Sequence, residues 1–491
     1  MDSPATIAAF VLYLAFMVYL GLRNTKKNKS SSDFFLGSRN TGPWQTALSA
    51  EASDMSGWLL MGLPGVAYLG GMKEAFWTAI GLIIGTYLNW LFVAKRLRKY
   101  TIHAGDSITI PEFFTNRFKD NSRIISLVSV IFILIFFTIY AASGFVACAK
   151  LFNSVFDIPY LYALILGIAV ILTYTLLGGY LAVVSTDFMQ GSLMFFALVA
   201  TTIGAIFSFG GWHETVAAVG TEMLNPFHDN PNVPFGTLGI VSALAWGLGY
   251  FGMPHILVRF MGLRSNKEVR TSRRIAMVWV VIAFAGALLI GAFGNAYLGT
   301  PLAPGMQETV FIETLKVMFP SFLAGIFLCG ILAAAMSSAD SQLLVAASAF
   351  SRDIYQTFLN KNASEKQTLL MSRVTVVVVA LVAFFLSLDP MSSIFGLVSY
   401  AWAGFGATFG PLILLSLFWK GITRNGALSG LIAGGVTVIV WKQLHGGIFD
   451  IYEIIPGFAA CFEIAVIVSL LGQKPGKEIA AEYEAYTKLG D

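Results

Sequence analysis

Apolar residues in this chain run in blocks of about 20 between charged or turn-rich punctuation, the length that crosses a hydrocarbon core of about 30 Å. Thirteen blocks are expected as spans, near residues 4–22, 44–69, 74–94, 124–149, 160–178, 181–209, 236–261, 274–297, 321–350, 370–388, 393–419, 425–441 and 453–472. Two of them do not read as plain lipid-facing helices. The second, WQTALSAEASDMSGWLLMGLPG, carries Glu51, Asp54 and three serines at mid-membrane depth. The seventh, SALAWGLGYFGMPHILVRFMG, sets Gly247, Gly249, Gly252 and Pro254 among aromatics. Irregular backbone at that depth is tolerated only where it is packed in protein or lines a cavity. Pro254 also removes a backbone donor, which disfavours a continuous helix through residues 250–253. Five spans separate the two, so they enter the membrane from opposite sides. Spans 2–6 and 7–11 then form two five-helix units of opposite topology, and interrupted helices at matching positions mark a transporter's midplane site.

Composition agrees. The 491 residues are 56% hydrophobic and 12% charged, with a mean hydropathy of +0.74; soluble chains carry about 25% charged residues. This excludes a cytosolic enzyme, a disulfide scaffold and a nucleic-acid-binding module. The three cysteines, Cys148, Cys329 and Cys461, lie far apart in apolar runs and suggest neither a metal site nor a disulfide framework. The N-terminus, MDSPATIAAF, has no basic region and no cleavage site, so the first block is expected to be a retained span.

Placing the connection between spans 1 and 2 in the cytoplasm puts all but four of the 31 Lys and Arg residues on the cytoplasmic side, the exceptions being Lys73, Lys150, Lys316 and Lys442. The expected orientation is N-terminus outside, C-terminus inside. The basic clusters at 95–99 and 264–274 read as topology determinants. The expected organisation is a peripheral helix and loop (1–43), a first repeat (44–209), an extracellular loop (210–235), a second repeat (236–419), two peripheral helices (420–472) and a partly helical cytoplasmic tail (473–491).

Five stretches carry a resemblance: LSAEASDMSGWLLMGLPG (48–65), WGLGYFGMPHILVRFM (246–261), ILAAAMSSADSQLLV (331–345), GLVSYAWAGFGATFGP (396–411) and RNGALSG (424–430). Together they resemble the sodium/solute symporter family, in register from near residue 10 to about 470. The resemblance implies an all-α polytopic protein with a leucine-transporter-type 5+5 inverted-repeat core, working as a sodium-coupled importer of L-proline in a bacterial cytoplasmic membrane. It suggests no obligate protein partner. The alternatives are a same-fold symporter for another small amino acid or carboxylate, or a solute sensor. The short tail argues against the sensor, and the lack of a nucleophile–base set argues against an enzyme.

The resemblance implies a sodium site formed by the carbonyls of Ala52, Met55 and Ala334 with the hydroxyls of Ser337 and Ser338. A hard cation prefers oxygen ligands, and a break in span 2 would free carbonyls at 52–55. The alternative is that both serines bond to their own helix. For the substrate it implies Ser56, Gly57, Tyr140, Trp246, Tyr250 and Pro254; the i,i+4 spacing of Trp246 and Tyr250 lets both rings face one cavity if that stretch is helical. Asp187 resembles an aspartate near the sodium path, and Asp340 and Ser341 share a helix face with Ser337. These groups form a second cation site, or one acid stays protonated, or each pairs locally. Asp54 and Arg39 resemble residues involved in coupling. Glu51 departs from the small residue the family resemblance leads one to expect, and Glu463 is an acid without an assigned role.

Overall fold

The computed structural model describes residues 4–25, 35–177, 180–230 and 233–488; part of the connection between the first two spans (26–34) lies outside them. The described chain is helical apart from one two-stranded antiparallel ribbon, His228–Asn230 with Val233–Pro234. In chain order the helices are α1 (Pro4–Thr25), α2 (Pro43–Gly57), α3 (Leu63–Gly70), α4 (Met72–His103), α5 (Ile110–Arg117), α6 (Ile124–Phe156), α7 (Tyr160–Leu177), α8 (Tyr180–Phe209) and α9 (Trp212–Val219). The second half holds α10 (Thr237–Leu244), α11 (Pro254–Gly262), α12 (Val269–Leu298), α13 (Val310–Met318), α14 (Ser321–Leu359), α15 (Glu365–Leu386), α16 (Ile394–Phe418), α17 (Arg424–Trp441), α18 (Ile454–Leu471) and α19 (Lys477–Lys488). Among the described residues, eight helices are long and apolar enough to cross a membrane, nine when α10 and α11 count as one broken span.

Burial separates core from rim. The apolar stretch of α16 is 89% buried and that of α14 is 78% buried, whereas α15 and α18 are 33% and 28% buried. Val374, Val378, Leu381 and Phe385 stand exposed on α15. In water such a patch would drive association; in a bilayer these side chains meet lipid tails at no cost. Glu463 sits on the exposed side of α18.

Both interrupted spans are broken. In α2 the path leaves helical geometry at Ser56 (φ 48°, ψ −171°), followed by a π-helical stretch, Trp58–Gly62, that leads into α3. After α10 comes a 3₁₀ stretch, Ala245–Phe251; Met253 is extended (φ −76°, ψ 106°), and Pro254 takes the first position of α11. Proline suits that position because its missing N–H would be unpaired anyway. The bend between the two pieces is 43°.

Helix α2 packs against α8, α12 and α14, and the 3₁₀ stretch lies between α4 and α16. The contact with α4 is backbone on backbone: a Cβ on Gly85 would stand 2.3 Å from the Gly247 carbonyl oxygen, and one on Gly81 would stand 2.3 Å from that of Leu244. No rotamer change relieves a clash between two backbones. Gly85→Ala is therefore expected to cost about 1–3 kcal/mol of stability and to lower the thermal unfolding midpoint of the detergent-solubilised protein. An unchanged midpoint would contradict this packing.

The tail forms a docked helix. Tyr486 on α19 stacks on Tyr100 with centroids 4.1 Å apart, and the Tyr483 hydroxyl donates to the Leu417 carbonyl at 3.2 Å. The buried Arg117 guanidinium lies over the rings of Tyr100 (5.4 Å) and Tyr483 (5.1 Å), so cation–π attraction joins the tail to α4 and α5.

Candidate functional site

The break at Ser56 places that residue in a backbone region most L-residues avoid, at a cost of order 1–3 kcal/mol, so the surrounding packing holds it there. Ala52 lies one helical turn before this break. The Ser337 hydroxyl donates to Ala52 O at 2.8 Å and lies 3.2 Å from Ala334 O; the Ser338 hydroxyl stands 3.5 Å from Ala52 O. A hydroxyl has one proton to give and two lone pairs to offer. Turned toward a cation, both serines become neutral oxygen ligands beside the two carbonyls. The Met55 carbonyl, the fifth oxygen of this set, accepts the Trp58 N–H.

Toward one end of α2 lies a network that sequence reasoning did not assemble. Arg259, on α11 and fully buried, donates to Asp187 Oδ2 (3.2 Å), Ser341 Oγ (2.5 Å), Ser49 Oγ (3.1 Å) and the His255 carbonyl (3.1 Å). The Ser49 hydroxyl donates to Asp187 Oδ2 at 2.6 Å, and Ser341 Oγ donates to Asp340 Oδ1 at 3.3 Å. Asp187, Asp340 and Ser341 are thus brought together, with the guanidinium as the cation between them. The planar fork of arginine suits this role, since it can bond several oxygens at once.

On the other side of the break is an aromatic pocket, lined by Asp54, Met55, Trp58, Tyr140, Trp246, Tyr250 and Trp402, with Leu82 and Val398. The Tyr250 hydroxyl donates to Asp54 Oδ2 at 2.6 Å, and the Tyr140 hydroxyl donates to the Asp54 carbonyl at 3.0 Å. Trp402 Nε1 donates to the Trp246 carbonyl at 2.7 Å, and Asn89 Nδ2 donates to that of Tyr250 at 2.9 Å. Side-chain donors therefore satisfy the 3₁₀ stretch where a regular helix would have used its own N–H groups. The pocket is contracted: it leaves about 10 Å³ for the centre of a water molecule, roughly one water's need. Trp246 forms its roof, with Phe395 at 5.1 Å and Tyr452 at 5.5 Å between centroids. Above the roof a vestibule of about 340 Å³ includes Trp246, Phe395, Ser399 and Tyr452 in its wall.

Three residues expected at the substrate do not line this pocket. Ser56 Oγ accepts the Trp58 N–H at 3.1 Å, a Cβ on Gly57 would meet that of Ala147 at 2.6 Å, and Pro254 starts α11. Trp58, Val398 and Trp402 line it without having been foreseen. The signal for Trp402 was available, one large polar-tipped ring in the small-residue run AWAGFGA, but a lone aromatic at helical spacing reads as core.

Polar latches close both ends. At the vestibule end, the buried Glu308 carboxylate accepts from Lys150 Nζ (2.7 Å), Ser393 Oγ (3.0 Å) and the N–H groups of Ile394 (3.1 Å) and Phe395 (3.0 Å). It neutralises the N-terminus of α16 and fixes Phe395 over the pocket. At the opposite end, Arg39 donates to Asp106 Oδ1 (2.9 Å), the Met261 carbonyl (2.9 Å) and the Ser107 carbonyl (2.7 Å). Arg98 adds bonds to the carbonyls of Leu263 and Arg264. Of the four lysines expected outside the basic side, three are paired: Lys150 with Glu308, Lys316 with Glu313 (2.9 Å) and Lys442 with Glu453 (3.3 Å), so the charges of those three are locally balanced.

Comparison with known proteins places this geometry. Residues 34–434 match the model of the sodium:solute symporter family. The chain is 46% identical to the sodium/proline symporter of Salmonella typhimurium, covering 99% of this chain and 96% of that one. It is 47% identical to that of Escherichia coli, covering 96% and 94%. A high-affinity proline transporter of Bacillus subtilis is 46% identical, covering 96% and 99%. Among solved structures, a Na⁺-coupled sialic acid symporter superposes with a TM-score of 0.79 at 20% identity, over 97% of this chain and 99% of that one. MhsT in complex with L-phenylalanine gives 0.54 at 16% identity, over 87% and 97%. These likenesses give the fold, a leucine-transporter-type core in a multi-pass membrane protein, with α2–α3 and α10–α11 as its two broken helices. Match and coverage together settle the family: this chain belongs to the sodium:solute symporter family.

Proposed function

We propose that this protein imports L-proline together with sodium across a bacterial cytoplasmic membrane by alternating access. The observation that carries the reading is that one broken helix serves two sites: α2 offers the Ala52 carbonyl to Ser337 and Ser338, and two residues on it offers Asp54 to the aromatic pocket. Relatives named as proline transporters along nearly the full chain favour proline as the substrate. Sodium held by Ala52, Met55, Ala334, Ser337 and Ser338 fixes the path of α2 and with it the position of Asp54. Coupling then arises because each ligand changes the free energy of the conformation the other binds.

In this reading the pocket opens to admit proline, whose apolar ring meets Trp58, Trp246 and Trp402 while its ammonium faces Asp54 and the tyrosine hydroxyls. Gly57 and Ser56 set the backbone turn beneath it, and Pro254 ends the 3₁₀ stretch that presents Trp246 and Tyr250. The vestibule side is extracellular and the Arg39–Asp106 latch cytoplasmic. Helices α1, α2–α3, α4, α6, α7, α8, α10–α11, α12, α14, α15, α16, α17 and α18 make thirteen spans, with the N-terminus outside and the C-terminus inside. One charge crossing 100 mV is worth about 2.3 kcal/mol, and a tenfold sodium gradient about 1.4 kcal/mol more. One sodium thus sustains a proline gradient on the order of several hundredfold.

The test uses the pocket's own tryptophans. Sodium-dependent quenching of Trp fluorescence by L-proline is expected. Tyr250→Phe, which removes a hydrogen bond to a carboxylate worth about 1.5–3 kcal/mol, is expected to weaken apparent proline affinity by about tenfold or more. Unaltered proline affinity in that variant would remove Tyr250 and Asp54 from the substrate site.

A further inference from the structure

Behind the aromatic pocket, α2, α4 and the 3₁₀ stretch enclose a second chamber with about 170 Å³ of empty space, too narrow to admit a water molecule. Its polar lining is Glu51 and Asp54 from α2, Thr86, Asn89 and Trp90 from α4, and Tyr250. Glu51 is 2% exposed and Asn89 1%. Trp90 Nε1 donates weakly to Glu51 Oε1 at 3.4 Å, and Tyr250 donates to Asp54 Oδ2. Glu51 Oε2, Asp54 Oδ1 and Asn89 Oδ1 accept no hydrogen bond among the described residues. The ion pairs among those residues include neither Glu51 nor Asp54, and the nearby Arg259 is committed to Asp187.

Buried charges are paired or coordinate metals, and buried acceptors find donors or ions. Here one oxygen each of Glu51, Asp54 and Asn89, from two helices lining one chamber, is left without a donor among the described residues. We propose that the chamber is a second sodium site, ligated by Glu51, Asp54 and Asn89, with the Thr86 hydroxyl completing an all-oxygen shell. Such a set suits a hard cation. The narrowness favours a bare small ion over a hydrated or larger one, so sodium or lithium enters and potassium does not. Asp54 and Tyr250 line both chambers, so a cation here bears directly on the groups that face substrate. The inference rests on the sodium-coupled reading above. It alters the energetics, since a second sodium squares the gradient that one sustains, to on the order of 10⁵-fold.

The test counts sodium. Equilibrium binding of ²²Na⁺ to the purified protein, with proline present, is expected to give two ions per chain, and one in Glu51→Gln. The Hill coefficient for sodium in proline uptake falls from near 2 toward 1, and the charge moved per proline falls from two to one. Thr86→Val, which removes a neutral ligand, weakens the second site and keeps the first. One bound sodium in the unaltered protein overturns the inference by itself, as does a count that Glu51→Gln leaves unchanged, while sodium-coupled uptake still stands. No bound sodium and no sodium-dependent uptake would instead bring down the coupled reading.

Discussion

Replacing Ser337 and Ser338 together by alanine is expected to raise the sodium concentration for half-maximal proline uptake by about 100-fold or more. Both hydroxyls lie within 3.5 Å of the Ala52 carbonyl, and alanine fills the same space without an oxygen. Each charge-assisted contact is worth about 1.5–3 kcal/mol, and about 1.4 kcal/mol is tenfold. Protein folding is expected to survive, because the Ala52 carbonyl loses one neutral donor and the small side chains leave little cavity. Sodium titration of uptake, with thermal unfolding in parallel, separates the two effects. An unchanged sodium dependence in a folded double variant would show that the serines serve only their own helix.

Removing Arg259 is expected to have the largest effect on stability. Its guanidinium is the cation facing Asp187, and both side chains are at most 1% exposed. Breaking a buried pair by deleting one partner costs about 3–5 kcal/mol, because the remaining charge has neither water nor counter-ion. Arg259→Met should therefore lower the unfolding midpoint sharply and abolish uptake. Arg259→Lys keeps the charge but not the fork that reaches Ser49, Ser341 and Asp187, and falls between. The double change Arg259→Met with Asp187→Asn removes both charges and should recover much of the stability without recovering transport. If the single and double variants unfold alike, the pair is not the stabilising unit described here.

What was legible in the sequence depended on how local its cause was. The interruption before Pro254 follows from proline's own chemistry, and it lies at 252–253 as that chemistry demands. The break in span 2 was readable as polar and small residues at membrane depth, and the strained residue is Ser56. Trp246 and Tyr250 were paired on α-helical spacing; the stretch is 3₁₀, yet both rings reach the pocket because Asn89 and Trp402 hold its carbonyls.

Non-local chemistry was not legible. Arg259 meets Ser49, Asp187 and Ser341 across separations of 210, 72 and 82 residues, and a basic residue at the end of a span reads as a topology charge. Lys150 and Glu308 are 158 residues apart, and their pairing explains a lysine that broke the charge asymmetry. Glu51 was visible as an oddity. Its meaning needed Asn89 and Thr86, which helix α4 brings to the same chamber.

The central claim is that sodium and proline move together. Uptake of radiolabelled L-proline into proteoliposomes, under an inward sodium gradient and under a matched potassium gradient, tests it most directly. The account predicts transient accumulation above the external concentration with sodium and simple equilibration at most with potassium. Accumulation that is the same in both gradients, or that follows a pH gradient and ignores sodium, would contradict it.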